Sequence, residues 1–248
     1  MKIIGQTTSF PVIEEVPVTR LFDNTKEADH RLDPVIVEHP FLIEVNGKPC
    51  CSLTCSPDHL VQLAVGHLFS QGYIDGTDWI DTIELTEEGK EAKVTLTADK
   101  TLLTPLSNLN HNHLRNVAPR PMDDTLKHLL FAQAKALYDS ADWFFQTGAA
   151  HSSSLSVDGA ILYRFSDVSR HNTIDKIIGQ ALMDEVDLAR SVLFTSGRIP
   201  LDMLLKVARC GIPVVGSRSA PTTAALALAK KLGILLVGFV RQVRMNVY

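Results

Sequence analysis

SVLFTSGRIPLDMLLKVARCGIPVVGSRSAPTTAALALAKKLGILLVGFVRQVRMNVY, residues Ser191 to Tyr248, decides the fold. It reads as three short apolar runs separated by two punctuated helices. Ser191-Val-Leu-Phe-Thr195 has the composition of a buried strand. After Ser196-Gly-Arg198, Pro200 suits a first helical position, and Leu201, Leu204, Leu205 and Ala208 give helical spacing up to Gly211. The grammar then repeats: Val214-Val215 as strand, Ser217-Arg-Ser-Ala-Pro221 as loop, Ala224 to Leu232 as helix, Gly233 as stop, and Ile234 to Val240 as a third strand.

Strand, helix, strand, helix, strand with short loops requires parallel strands and right-handed crossovers. All three strand ends then fall on one edge. Ser196-Gly197-Arg198, Ser217-Arg218-Ser219-Ala220-Pro221 and Phe239-Val240-Arg241-Gln242-Val243-Arg244 leave that edge. Arg198, Arg218, Arg241 and Arg244 would therefore converge with two helix N-termini, an arrangement suited to an anion because unpaired N–H groups and guanidinium forks both donate to phosphate oxygens. Scattered surface arginines are the plainer alternative. Guanidiniums in adjacent turns repel one another unless an anion lies between them, which favours a site.

The chain's 248 residues, 45% hydrophobic and 21% charged, fit a globular protein of one large or two small domains. A net charge of -4 offers no global attraction to nucleic acid or acidic membranes. The first ten residues lack the apolar core of a signal peptide, and no apolar run approaches a membrane span of about 20 residues. A cytoplasmic location is expected. Four cysteines in a chain of this length make no disulfide framework.

Earlier in the chain, Pro17 to Asp23, Val35 to Val45 and Pro49 to Cys55 are strand candidates, with Asn46-Gly47 as a hairpin turn. Ser56-Pro57-Asp58 reads as a helix start, and Leu60, Leu63, Ala64, His67 and Leu68 as that helix's buried stripe. Ile80 to Leu85 and Ala92 to Thr97 form a second hairpin. Pro105 to Pro121 has no apolar period and reads as a loop. Asp123 should cap a helix over about 126–141, Asp158-Gly159 should turn a hairpin from 153–157 to 161–165, and Asp167 or Ser169 should cap a helix from Arg170. A cation in a first helical turn opposes the dipole, so Arg170 needs a ligand or a carboxylate partner, for which Asp167 is the nearby candidate.

Taken together, Leu236-Val-Gly-Phe-Val-Arg-Gln-Val-Arg-Met-Asn-Val-Tyr248, Ser219-Ala-Pro221, Thr195-Ser-Gly-Arg198, Thr147-Gly-Ala-Ala-His151 and Asp167-Val-Ser-Arg-His-Asn-Thr-Ile-Asp-Lys176 resemble the FdhD/NarQ family of formate dehydrogenase accessory proteins. Val45-Asn-Gly47 and Leu63-Ala-Val-Gly-His-Leu-Phe69 match more loosely. The resemblance implies an α/β protein: a β-rich N-terminal domain over 1–105, a loop over 106–121, and a cytidine-deaminase-like three-layer α/β/α domain over 122–248. It implies a sulfur carrier that takes sulfur from a cysteine desulfurase and acts on the molybdenum cofactor, in its bis(molybdopterin guanine dinucleotide) form, before insertion into formate dehydrogenase. It also implies a homodimer, and a nucleotide-binding cleft lined by His151, Arg170, His171 and Asp175 together with Phe239 to Arg244.

The family's Cys-x-x-Cys pair should fall between about Thr104 and Asp123, where this chain has no cysteine. Cys51 and Cys55 flank Leu53 on one strand face about 13 Å apart, beyond the roughly 7 Å reach of a disulfide. Strict alternation turns Cys50 to the opposite face, and Cys210 ends a helix where no dipole activates it. Buried free thiols are the expected identity of all four, with Cys50 the weak choice for a surviving role. His111 and His113 belong to a polar loop, and the deaminase pattern of His-x-Glu with Pro-Cys-x-x-Cys is absent, so no metal site is expected. Ser152 to Ser154 lack a nucleophile elbow, against a hydrolase. Two function classes remain: a sulfurtransferase by family, and a protein that binds the guanine-nucleotide cofactor without moving sulfur.

Overall fold

The computed structural model describes residues 1–5, 10–25, 27–103 and 114–248. Its centre is a six-stranded sheet built from β8 (His151–Val157), β9 (Ala160–Asp167), β10 (Ser191–Thr195), β11 (Val214–Ser217), β12 (Leu235–Arg241) and β13 (Arg244–Val247). The spatial order is β13-β12-β11-β10-β8-β9. β10, β11 and β12 run parallel, in registers such as Val192 opposite Val214 and Val214 opposite Leu235. β10 is buried at every position, as expected for a strand covered on both faces.

The two crossover helices are α5 (Leu201–Cys210) and α6 (Thr223–Leu232). Each ends on a left-handed glycine, Gly211 at φ 72° and Gly233 at φ 79°, as the sequence requires. Their starts differ by one residue from expectation. Pro200 and Thr222 stand at the N-caps, and only Thr222 caps with its side chain, accepting from Ala225 N–H.

Helices cover both faces. On one, α2 (Asp124–Asp139) lays Leu126, Leu130 and Leu137 against Val192, Phe194, Val214 and Val237. Asp123 caps it as expected, accepting from Leu126 N–H at 2.7 Å. On the other, α4 (Arg170–Met183), α5 and α6 share a core with α1 (Leu60–Ser70). That core continues without a break into Phe41 and Ile43 of β4 (His39–Val45), Ile83 of β6 (Ile80–Leu85) and Val94 of β7 (Glu91–Leu96).

The N-terminal sheet has the order β1-β6-β7-β4-β5, with β1 (Lys2–Ile4) and β5 (Lys48–Cys55) at its edges. β2 (Ile13–Leu21) and β3 (Ala28–Ile36) form a separate, largely exposed two-stranded arm. α1 joins this half to the larger sheet by packing on α4 at very short range. A Cβ on Gly66 would lie 1.8 Å from the Asp175 carbonyl oxygen, and one on Gly179 would lie 1.9 Å from that of Gln62. Only glycine permits that approach.

Four local expectations are corrected. α1 begins at Leu60 after left-handed His59, because Ser56 and Asp58 are engaged across the molecule: Ser56 N–H donates to Asp167, and Asp58 pairs with Lys176. Residues Asp142–Thr147 form a short helix, α3, that no apolar period announced. The tail does not leave the sheet edge freely; it turns at Gln242 and returns as β13, with Arg241 opposite Arg244. In β5, Ile43 lies opposite Cys51 while Glu44 lies opposite Pro49, so Cys50 is the extra residue of a β-bulge and the strict alternation assumed for it fails.

Candidate functional site

The ends of the parallel strands carry the site, and the loops there are bound to one another before they meet any ligand. Ile199 N–H donates to the Ala220 carbonyl at 3.0 Å, Ser217 Oγ donates to the Gly197 carbonyl at 2.6 Å, and Phe239 N–H donates to the Ser219 carbonyl at 2.9 Å. Phe239 adopts φ 53°, a left-handed conformation uncommon for an aromatic residue and held here by that bond. Ser219 N–H is turned inward to Ser217 Oγ.

Arg218 is the half-buried member of the arginine group. Its guanidinium lies 4.9 Å from the Tyr138 ring centre, and its carbonyl accepts from Arg241 Nε at 3.2 Å. Arg218 and Tyr138 together line two adjoining cavities. One, of about 310 Å³, includes Phe144, His151, Ser152 and Ser196; the other, of about 730 Å³, includes Phe131, Lys135, Val240, Arg241 and Gln242. Both fall in the size range of small-molecule sites. Arg198 and Arg244 are exposed at the margin, as is Val243, whereas the Val240 side chain is spent on the core beneath.

His151 and Arg170 meet over Gly197. A Cβ there would stand 3.1 Å from the Arg170 side chain and 3.6 Å from His151 Nδ1, so the glycine leaves room for both. Ser196 Oγ sits 3.5 Å from the same imidazole nitrogen. Burial, then Arg170 and His171, hold the His151 pKa below its ordinary value. Asp167 does not balance Arg170: it pairs with Lys176 at 2.7 Å and accepts from Ser56, Ser169 and Asn172. The buried Arg170 Nε has no hydrogen-bond partner among the described residues.

His171 points the other way along the first turn of α4 and bonds Asp202 at 2.9 Å. Asp175 lies deeper, fully buried between α1, α4 and α5, where it accepts from Lys206 at 2.5 Å, Ser70 at 2.7 Å and His67 at 3.0 Å. Of the four residues expected to share a cleft, His151 and Arg170 both flank Gly197, whereas His171 and Asp175 line a separate cleft with Leu53, Thr54 and Lys206. Tyr138 and Phe144 went unseen in the sequence. Each sits on a helix whose exposed aromatic positions carry no motif.

A sequence profile of the FdhD/NarQ family matches residues 36–248. The chain belongs to the FdhD/NarQ family. It is 32% identical over 231 residues to the "Sulfur carrier protein FdhD" of Listeria monocytogenes serotype 4b (strain F2365), covering 86% of this chain and 88% of that one. It is 32% identical over 240 residues to the protein of that name from Methanothermobacter thermautotrophicus, at 94% and 95% coverage. The crystal structure of a putative formate dehydrogenase accessory protein from Desulfotalea psychrophila superposes with a TM-score of 0.79 at 27% identity, covering 96% of this chain and 97% of that one.

Within this FdhD/NarQ chain the thiols are Cys50, Cys51, Cys55 and Cys210. Burial pushes Cys55 and Cys210 up to about 12, which makes them inert. Half of the interval expected to hold the family's cysteine pair, residues 104–113 with His111 and His113, lies outside the described residues. No helix is long and apolar enough to cross a membrane among the described residues.

Proposed function

We propose that this FdhD/NarQ protein serves formate dehydrogenase by holding the guanine-dinucleotide form of the molybdenum cofactor at the carboxyl edge of β10, β11 and β12. The observation that carries this is Arg170: a cation in the first turn of a helix, its Nε buried and unpartnered among the described residues, beside a neutral imidazole and a glycine that keeps the space open. An anionic oxygen supplies what that group lacks. Arg218 and Arg241 give the larger cavity a cationic lining, and Tyr138 and Phe131 offer apolar surface there to a base.

The residues fit the nucleotide end of that cofactor. Arg170, Arg218, Arg241 and Ser196 would hold phosphates, with Arg198 and Arg244 at the rim, and the cofactor when bound would supply the metal to which sulfur is added. By the same resemblance, residues 1–105 and 122–248 act as a β-rich and a deaminase-like domain joined by 106–121, and a homodimer exchanges with a cysteine desulfurase and with formate dehydrogenase.

Expression in a host that lacks its own accessory protein tests this reading. Parent protein should restore formate dehydrogenase activity and Arg170→Gln should not, at equal soluble yield. Equal restoration by both would remove Arg170 from the function.

A further inference from the structure

We propose that the cleft between β5, α1, α4 and α5 is a second ligand site, separate from the strand edge, that takes the primary ammonium group of a small organic amine on His67, with Glu38 as its counter-charge. The inference stands apart from the nucleotide reading and uses none of its residues.

His67 is the first observation. It follows Gly66 on α1, whose close approach to the Asp175 backbone brings the imidazole onto the Asp175 carboxylate, and only 8% of the residue is exposed. A carboxylate can only accept, so Nδ1 carries the proton of that 3.0 Å bond, and in the neutral ring Nε2 is a bare acceptor. Nε2 has no hydrogen-bond partner among the described residues, and His67 lines a cleft of about 520 Å³. An acceptor held this way, nine-tenths buried and beside open space, lacks a donor.

The rest of the lining is the second observation, because its charged donors are committed while acceptors stay open. Lys206 donates to Asp175, His171 bonds Asp202, and the Asn172 amide donates to the Thr54 carbonyl at 2.8 Å and to Asp167 at 3.0 Å. Glu38, by contrast, lines the cleft, is exposed and has no ion pair among the described residues. Ser52 adds a backbone acceptor. It lies opposite Leu42, whose N–H turns the other way to the Lys90 carbonyl, so the Ser52 carbonyl points out from the sheet, on the same side as the Thr54 carbonyl that Asn172 meets. β5 is an edge strand, and no further strand covers that side.

Open acceptors with an unpaired carboxylate call for a ligand that is cationic and rich in N–H. A primary ammonium group has three donors, which match His67 Nε2, the Ser52 carbonyl and the Glu38 carboxylate. An anion would meet Glu38 and Asp202 at the mouth with Lys206 already spent on Asp175. The volume suits a small molecule. His171 lines this cleft while Arg170 flanks Gly197, so the first turn of α4 separates the amine from the strand edge.

Titration of n-butylammonium chloride into the full chain, followed by nitrogen resonances of its assigned histidines, tests the proposal. The His67 Nε2 signal should move and saturate with one amine bound. Tetramethylammonium chloride, which has the charge without a donor, and sodium butyrate should leave it in place; both comparisons use the parent and need no variant to fold. Glu38→Gln should weaken the amine about threefold, as befits an exposed ion pair, and His67→Phe should abolish binding. Arg170→Gln should bind the amine as the parent does, which keeps this site distinct from the strand edge. No saturable change at His67, an equal response to tetramethylammonium, or undiminished binding in Glu38→Gln would overturn the assignment.

Discussion

The Arg218 guanidinium lies 4.9 Å from the centre of the Tyr138 ring, and this contact forms the wall common to the two cavities at the strand edge. A ring face against a guanidinium fixes the direction of the charge without neutralising it. Tyr138→Phe should therefore keep guanine nucleotide binding close to parental, while Tyr138→Ala should weaken it about fivefold, corresponding to about 1 kcal/mol. Equilibrium titration of both variants checks this, and equal loss in the two would implicate the hydroxyl instead.

His151 should make the proposed nucleotide binding proton-linked. Its imidazole is held neutral by burial and by Arg170, and a phosphate arriving nearby favours the charged form. Affinity should tighten as pH falls from about 8 to about 6. His151→Gln should flatten that slope, which titration at three pH values would reveal.

Asp175 is a matter of stability. Burial alone would raise its carboxyl pKa, but Lys206 and His67 outweigh burial and hold it well below the ordinary range. A group depressed in the folded state stabilises above its unfolded value of about 3.9 and loses that contribution as pH falls through the folded value. Asp175→Asn should cost about 3–5 kcal/mol near neutral pH, since it leaves Lys206 buried against a neutral amide. The deficit should shrink below about pH 4. Thermal melts of parent and variant at pH 7 and pH 3 would expose the opposite behaviour, a constant gap.

Gly66 and Gly179 are predicted to resist substitution despite lying in helices, where alanine is intrinsically better by about 1 kcal/mol. Each Cβ would meet a carbonyl oxygen of the opposing helix at under 2 Å. Gly179→Ala should lower the denaturant midpoint, by about 1–3 kcal/mol of overpacking net of the propensity gain. A raised midpoint would mean that α1 and α4 can move apart freely.

The parallel core was legible because its signals are local: Gly211, Gly233, Pro200 and Thr222 punctuate two helices whose apolar spacing is unambiguous. From this the placement of Arg198, Arg218 and Arg241 at the carboxyl ends of three parallel strands follows. What escaped depends on long-range geometry. Asp175 shares α4 with Arg170, yet its depth comes from Gly66 and Gly179 drawing α1 onto that helix. Alternation turns Cys50 to the face opposite Cys51, but a bulge makes it the extra residue of the ladder, where alternation does not hold. Asp167 looked like the partner of Arg170 until Lys176, buried in the next turns, claimed it.

Direct calorimetric titration of guanosine diphosphate into the parent, Arg170→Gln, Arg218→Ala and Arg241→Ala proteins bears most directly on the strand-edge site. A charge-assisted hydrogen bond contributes about 1.5–3 kcal/mol, so each variant should lose about tenfold or more in affinity. Parent protein that fails to bind, or three variants that bind as the parent does, would contradict the account.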